Sequence, residues 1–254
     1  MILLTVPTVV IHCHIRSRLG NSANKTSATI SHTVFVDRGV PSSMLVDLSH
    51  TIDTGMTVYP GDPSVAIDPH ATHDQDGYRV SAAKLGSHTG THVDAPIHVI
   101  PEGRTLDSYA LERFAFEAVR VDCRDLDNRD PITTDRVPEC DVDLVIFWTD
   151  WSSHWGTDRY FDHPYLTPDA AAACAERGYA VGMDTLNPDP TPTGNAIGSE
   201  PDGFQAHHAI LGADNLIIEN LCNLKALRKR FDLLAYPLAL GSDGAPVRAV
   251  GIIE

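Results

Sequence analysis

Four side chains within eleven residues, His88, His92, Asp94 and His98, carry the donor atoms that bind a divalent metal or move a proton. Imidazole nitrogens and carboxylate oxygens are ordinary ligands of zinc and manganese, and a neutral imidazole also exchanges protons near neutral pH. The segment reads Ser87-His-Thr-Gly-Thr-His-Val-Asp-Ala-Pro-Ile-His98. All four positions are even, and in extended chain residues two apart project from one face, so a strand would gather them on one side. A helix would also align His88 with His92, but Gly90, the β-branched Thr91 and Val93, and Pro96 disfavour it. Extended chain passing into a turn is therefore expected. Gly90 and Ala95 leave room for a metal and a substrate to approach the backbone. Taken singly, each histidine reads equally well as a partly buried polar residue and Asp94 as a turn residue. Their shared parity over so short a stretch favours a site.

The elements that must hold such a segment alternate between strand and helix. Met44-Leu-Val-Asp-Leu-Ser-His50 alternates as a short strand does, and Tyr59-Pro-Gly-Asp-Pro63 must turn. Extended chain is expected from Tyr78 to His98. Val142-Asp-Leu-Val-Ile-Phe-Trp148 reads as a buried strand, followed by a helix capped by Thr167, with Pro168 at its first position, Asp169 at its positive end and Gly178 beyond its last turn. A strand at Tyr179 to Met183, a short helix at Ala206 to Gly212 and a strand at Leu216 to Glu219 continue the pattern. An α/β fold follows.

The 254 residues (27.6 kDa) are enough for one well-buried domain. A formal net charge of −15, from 34 acidic and 19 basic residues, argues against nucleic acid as a partner. Five cysteines, at 13, 123, 140, 174 and 222, form no CxxC pair and suit a reducing, cytoplasmic compartment. The apolar opening Ile2 to Ile11 is too short to span a membrane and has no basic residue before Arg16, so no membrane partner is expected, and a targeting remnant is the alternative reading. Residues 1–44 hold four basic residues, one acidic residue and 11 Ser or Thr, and read as an N-terminal extension, mobile or peripherally packed, ahead of a domain at 45–254.

The motif His, three residues, His, one residue, Asp, three residues, His resembles the signature of the metal-dependent cyclase family that includes bacterial kynurenine formamidases and isatin hydrolases. Tyr59-Pro-Gly-Asp-Pro63 resembles that family's upstream substrate loop, and Thr149-Asp-Trp-Ser-Ser-His-Trp-Gly156 its central block. Tyr160-Phe-Asp-His-Pro-Tyr-Leu166 and Val181-Gly-Met-Asp184 follow in the expected order, so the resemblance spans about residues 45 to 254. It implies a single-domain, swivelling β/β/α-type fold with a mixed sheet and short flanking helices. It also implies that His88, His92 and Asp94 bind a metal, that Asp94 can bridge to a second, and that His98 is the general acid/base. A downstream His and a Glu twelve residues later complete the ligand set, which selects His207 over His208 and pairs it with Glu219. The local sequence agrees for Glu219, since a carboxylate closing the apolar run Leu216-Ile-Ile is costly unless it is paired or metal-bound. His207, by contrast, would read locally as a helix-end or surface residue.

The cofactor implied is one or two divalent ions, Zn or Mn, and the reaction is hydrolysis of an amide or formamide C–N bond in a small aromatic substrate by metal-activated water. His98 would pass the water's proton to the leaving nitrogen. Tyr59, Trp151 and Trp155 are candidates for an aromatic wall, with core packing equally open to both tryptophans. Kynurenine formamidases typically carry tryptophan where this chain has Tyr59, which leaves room for an isatin-type hydrolase or a secondary-metabolism cyclase. A metal-binding scaffold without turnover is the rival from another class. The resemblance further implies a homodimer or homotetramer.

Overall fold

The structure is a computed structural model and describes residues 44–253. The expected extension lies outside them except for Met44, which opens the first strand. In chain order the strands are β1 (Met44–Asp47), β2 (Ala66–Ala71), β3 (Val80–Lys84), β4 (His92–Asp94), β5 (Ala115–Asp122), β6 (Pro131–Ile132) and β7 (Leu144–Trp148). They continue as β8 (Tyr165–Leu166), β9 (Ala180–Met183), β10 (Ile217–Glu219), β11 (Arg230–Leu234), β12 (Gly244–Pro246) and β13 (Val250–Ile253). Three α-helices, α1 (His73–Asp76), α2 (Pro168–Glu176) and α3 (Gln205–Gly212), intervene.

Nine strands form one mixed sheet in the order β1-β13-β11-β5-β7-β9-β10-β4-β12. Its centre, from β5 through β7 and β9 to β10, is parallel, and the remaining pairs are antiparallel. Strands β7 and β9, in the middle of it, are apolar and buried on both faces, as parallel strands covered on both sides must be. Val145 and Phe147 of β7 point outward and pack with Ala170, Ala171 and Cys174 of α2 and Ile210 and Leu211 of α3. The alternate residues, Leu144, Ile146 and Trp148, point inward.

That inner face also buries Val46 of β1, Phe116 of β5, Leu233 of β11, Ala245 of β12 and Ile253 of β13. Strands from both edges of the sheet thus share one core, which requires the sheet to curl. Leu48 closes the curl through backbone bonds, donating to Ala249 and accepting from Cys222. Helix α2 follows the sequence signals: Thr167 caps it by accepting the amide of Ala170, and Gly178 leaves it at φ +73°. The β2–β3 ribbon stands apart from this sheet, and every residue of β3 is exposed.

One expectation changes. The segment from Tyr78 to His98 is not continuously extended: after β3 the chain turns, β4 begins only at His92, and a 3-10 turn covers Pro96–His98. The shared-face argument therefore applies to His92 and Asp94 alone. His88 reaches the same place through a turn in which Gly90 adopts φ +62°, and His98 through the turn that Pro96 initiates.

Candidate metal centre

Strand β4 runs antiparallel between β10 and β12, and the pairing assembles the centre. Glu219 lies opposite His92 on one side, and Gly244 opposite Asp94 on the other. His207 is the third residue of α3, whose N-terminal amides at Ala206 and His207 donate to the carboxylate of Asp189 at 2.7 and 3.1 Å. Asp189 thereby satisfies amides that a helix start leaves free, and it fixes where His207 begins.

His92, His207 and His88 each have one nitrogen tied and the other turned toward the carboxylates of Asp94 and Glu219. Nδ1–H of His92 donates to the Gly90 carbonyl at 2.8 Å, leaving Nε2 at 3.2 Å from both Asp94 Oδ1 and Glu219 Oε2. Nδ1–H of His207 donates to Asp189 at 2.6 Å, leaving Nε2 at 3.2 Å from Glu219 Oε1 and 3.7 Å from Asp94 Oδ2. His88 places Nδ1 2.8 Å from Asp94 Oδ1 and Nε2 2.9 Å from Asp243 Oδ2.

Buried polar atoms are normally hydrogen-bonded. Here His92 Nε2, Asp94 Oδ2 and Glu219 Oε1 are buried without a hydrogen-bond partner. One ligand atom each from His88, His92 and Asp94 falls within 4.8 Å of the others, and the same holds for Asp94, His207 and Glu219. Inward-facing orphaned donor atoms of types N and O are what a divalent cation requires, so the residues fit the metal that the sequence motif implies. Asp94 belongs to both groups, one oxygen facing each.

Within the cluster the carboxylates compensate the imidazoles. Burial opposes protonation of His207, but its bond to Asp189 and the approach of Glu219 outweigh it and push its pKa up to about 10. Burial likewise opposes charge on His92 and His88, and Asp94 overrides it in both, so each is raised. Burial disfavours ionised Asp94, yet the two imidazoles hold it well below the usual carboxylate range. A cation held by these residues would take over the role that protons play in this balance.

His98 differs from the others. Its ring lies 4.0 Å from that of His88 and 5.6 Å from that of His207, its side chain is 29 % exposed, and burial lowers its pKa. A neutral imidazole at the mouth of the cluster can accept a proton from something bound there.

The aromatic candidates separate. Tyr59 is half-buried, with its ring 6.3 Å from Phe204, and Phe204 packs edge-on to His207 at 5.7 Å. Burial and the carboxylates of Asp189, Asp62 and Glu219 all raise the Tyr59 pKa. Trp155 stacks on His50 at 3.9 Å and meets Tyr160 edge-on. Trp151 is 3 % exposed, donates its indole N–H to the Tyr160 carbonyl and packs with Tyr160 and Leu186, a core placement.

Four further residues shape the centre without having been expected from sequence: Asp189, Phe204, Asn220 and Asp243. Asn220, at φ +55°, donates to the Gly90 carbonyl and accepts from the Tyr160 hydroxyl, while its own carbonyl accepts from Thr91. It thus holds the turn that delivers His92. Its place directly after Glu219 was the only available signal, whereas Asp189 and Asp243 sit in Pro- and Gly-rich stretches that read as ordinary turns.

A curled mixed sheet with short flanking helices around a buried His and Asp/Glu cluster defines a metal-binding, hydrolase-like α/β protein. The Cyclase family model matches residues 46–190, and the chain belongs to that family. It is 31% identical over 214 residues to the kynurenine formamidase of Salinibacter ruber, covering 81% of this chain and 96% of the relative. Isatin hydrolase A from Labrenzia aggregata, solved with benzyl benzoate, superposes with a TM-score of 0.72 at 26% identity, covering 83% of this chain and 94% of that one. Isatin hydrolase A from Ralstonia solanacearum gives the same TM-score of 0.72 and the same 26% identity, over 84% and 92% of the two chains.

Proposed function

We propose that this chain is a metal-dependent hydrolase that cleaves an amide or formamide C–N bond in a small aryl substrate, an arylformamidase-like activity. His88, His92, Asp94, His207 and Glu219 would hold one or two zinc or manganese ions, with Asp94 shared between the groups. The observation that carries this reading is the set of orphaned atoms, His92 Nε2, Asp94 Oδ2 and Glu219 Oε1, turned toward one another in a buried centre.

A bound divalent ion supplies Lewis acidity, lowering the pKa of water and polarising a carbonyl. The residues do the rest. His98 accepts the proton that water loses as it attacks the carbonyl carbon, and returns it to the nitrogen as the C–N bond breaks, so the products are a carboxylic acid and an amine. Asp189 and the Gly90 carbonyl keep the imidazoles of His207 and His92 in the tautomers whose Nε2 lone pairs face inward. Tyr59 and Phe204 offer ring faces to an aryl group beside His207, and Trp155 extends that wall.

A second reading, ring-opening of an isatin-type cyclic amide, is favoured by the similarity to isatin hydrolase A. Parallel assays of N-formylkynurenine, isatin and simple aryl esters with supplied Zn or Mn, together with metal analysis, separate the possibilities. Turnover of the formamide is expected; turnover of isatin alone selects the second reading. Stoichiometric metal without any turnover would select the scaffold role, and failure to take up either metal would sink all three. A homodimer or homotetramer is the expected assembly, which a solution mass measurement tests.

A further inference from the structure

Asp243 stands immediately before β12 and touches the centre at two places. Its Oδ2 lies 2.9 Å from Nε2 of His88 and 3.4 Å from Nδ1 of His98. The same three residues form a third close cluster of donor atoms beside the two metal groups. The carboxylate and the backbone that carries it are anchored at several points. Its Oδ1 accepts from the Ser242 hydroxyl at 2.7 Å, the Asp243 carbonyl accepts the Ala95 amide at 2.8 Å, and the Ser242 carbonyl accepts the Leu106 amide at 3.1 Å.

The next residue, Gly244, also bears on this arrangement. A Cβ there would lie 2.7 Å from Cε1 of His88, so only glycine lets β12 come close enough to set Asp243 against the ring. Asp243 and Gly244 therefore act as one device, a carboxylate delivered by a strand that grazes the imidazole it contacts.

An imidazole that gives one lone pair to a metal must carry its proton on the other nitrogen, and a carboxylate there fixes that choice and raises the ring's basicity. A neutral imidazole that takes up a proton at Nε2 must carry its own on Nδ1. One carboxylate oxygen has lone pairs for both donors. We propose that Asp243 is a positioning residue that sets the tautomers of both His88 and His98, so that a single carboxylate aligns a metal ligand with the proton-transfer group. This rests on the metal-centre reading above.

The experiment uses the full chain as wild type, Asp243→Ala and Asp243→Asn. Zn²⁺ affinity is read by competition with a chromophoric chelator, and histidine tautomers by long-range ¹H–¹⁵N NMR on the diamagnetic Zn²⁺-loaded protein. Wild type is expected to show His98 protonated on Nδ1. Asp243→Ala should weaken Zn²⁺ binding by about 10–100-fold, the usual cost of losing such a partner, and should release His98 into a tautomer mixture. Asp243→Asn, nearly isosteric and able to accept a hydrogen bond without charge, should keep the His98 tautomer and bind Zn²⁺ with intermediate affinity. It also guards against misfolding of the alanine variant. Zn²⁺ affinity within about twofold of wild type in either variant, or an unchanged His98 tautomer in Asp243→Ala, overturns the proposal. Failure of the wild-type protein to bind Zn²⁺ or Mn²⁺ would instead defeat the metal-centre reading itself.

Discussion

His98 and Asp94 stand four residues apart, yet their surroundings assign them different work. Asp94 is fully buried and belongs to both groups proposed to hold metal, whereas His98 is partly exposed and falls in a third cluster with His88 and Asp243. Replacing His98 by alanine is expected to leave metal content unchanged and to lower kcat by about 10²–10⁴-fold, the range associated with a general acid/base. Replacing Asp94 by alanine should lose metal as well as turnover. Metal analysis of the two purified variants beside their kinetics decides the matter, and equal metal loss would contradict the division of roles. These two residues were legible from spacing and motif. Asp189 and Asp243 were not, because a carboxylate in a turn-forming stretch carries no local mark of the imidazole it will meet 18 or 155 positions away.

Among the elements, β4 has the most demanding position, since only three residues carry two of the proposed ligands and pair on both sides. Two buried titratable groups of opposite character lie at other elements, one just before β8 and one at the end of β9. His163, just before β8, donates Nδ1–H to the Pro164 carbonyl and bonds the Thr191 hydroxyl through Nε2. Burial lowers its pKa from 6.5 to about 4. The unfolded chain therefore binds the extra proton first, and stability falls as pH drops from 6.5 towards 4, by about 3 kcal/mol in all. Asp184, at the end of β9, accepts from the amide and hydroxyl of Thr149 but is buried deeply enough that its pKa rises from 3.8 to about 6. Its folded form holds the proton longer, so its contribution runs the other way: stability falls as pH rises from 3.8 towards 6, again by about 3 kcal/mol. Wild type alone would show partial cancellation. Urea denaturation across this range should give His163→Gln a stability that falls less in acid than wild type, and Asp184→Asn one that falls less as pH rises; parallel curves for all three proteins would refute both assignments.

Over the whole molecule, one buried cation joins parts of the chain that are distant in sequence. Arg129, at φ +58°, pairs with Asp162 at 3.2 Å and with both oxygens of Glu200, and donates to the carbonyl of Thr191 at 3.0 Å. It ties the approach to β6 to the stretch before β8 and to the loop that leads into α3. Removing one partner of a buried ion pair strands the other charge, at a cost of about 3–5 kcal/mol. Arg129→Ala should lower stability by that amount in urea denaturation, and hydrogen exchange should rise first in residues 191–200. A loss below about 1 kcal/mol would show that water takes over the role of the guanidinium.

The sequence by itself determined the alternation of strands and helices, the cap and stop of α2, and the donor types gathered around β4. These depend on neighbours a few positions apart: Thr167 before Pro168, His92 two before Asp94, Gly178 past the last helical turn. Parity misjudged how His88 and His98 arrive, since turns at Gly90 and Pro96 rather than a continuous strand bring them in. Only the tertiary structure decided that Glu219 faces His92, that Phe204 lies against His207, and that Asp243 meets two imidazoles. Each of those contacts follows from strand register and from the curl of the sheet, which are set by burying apolar faces shared across its length, and no local spacing encodes them.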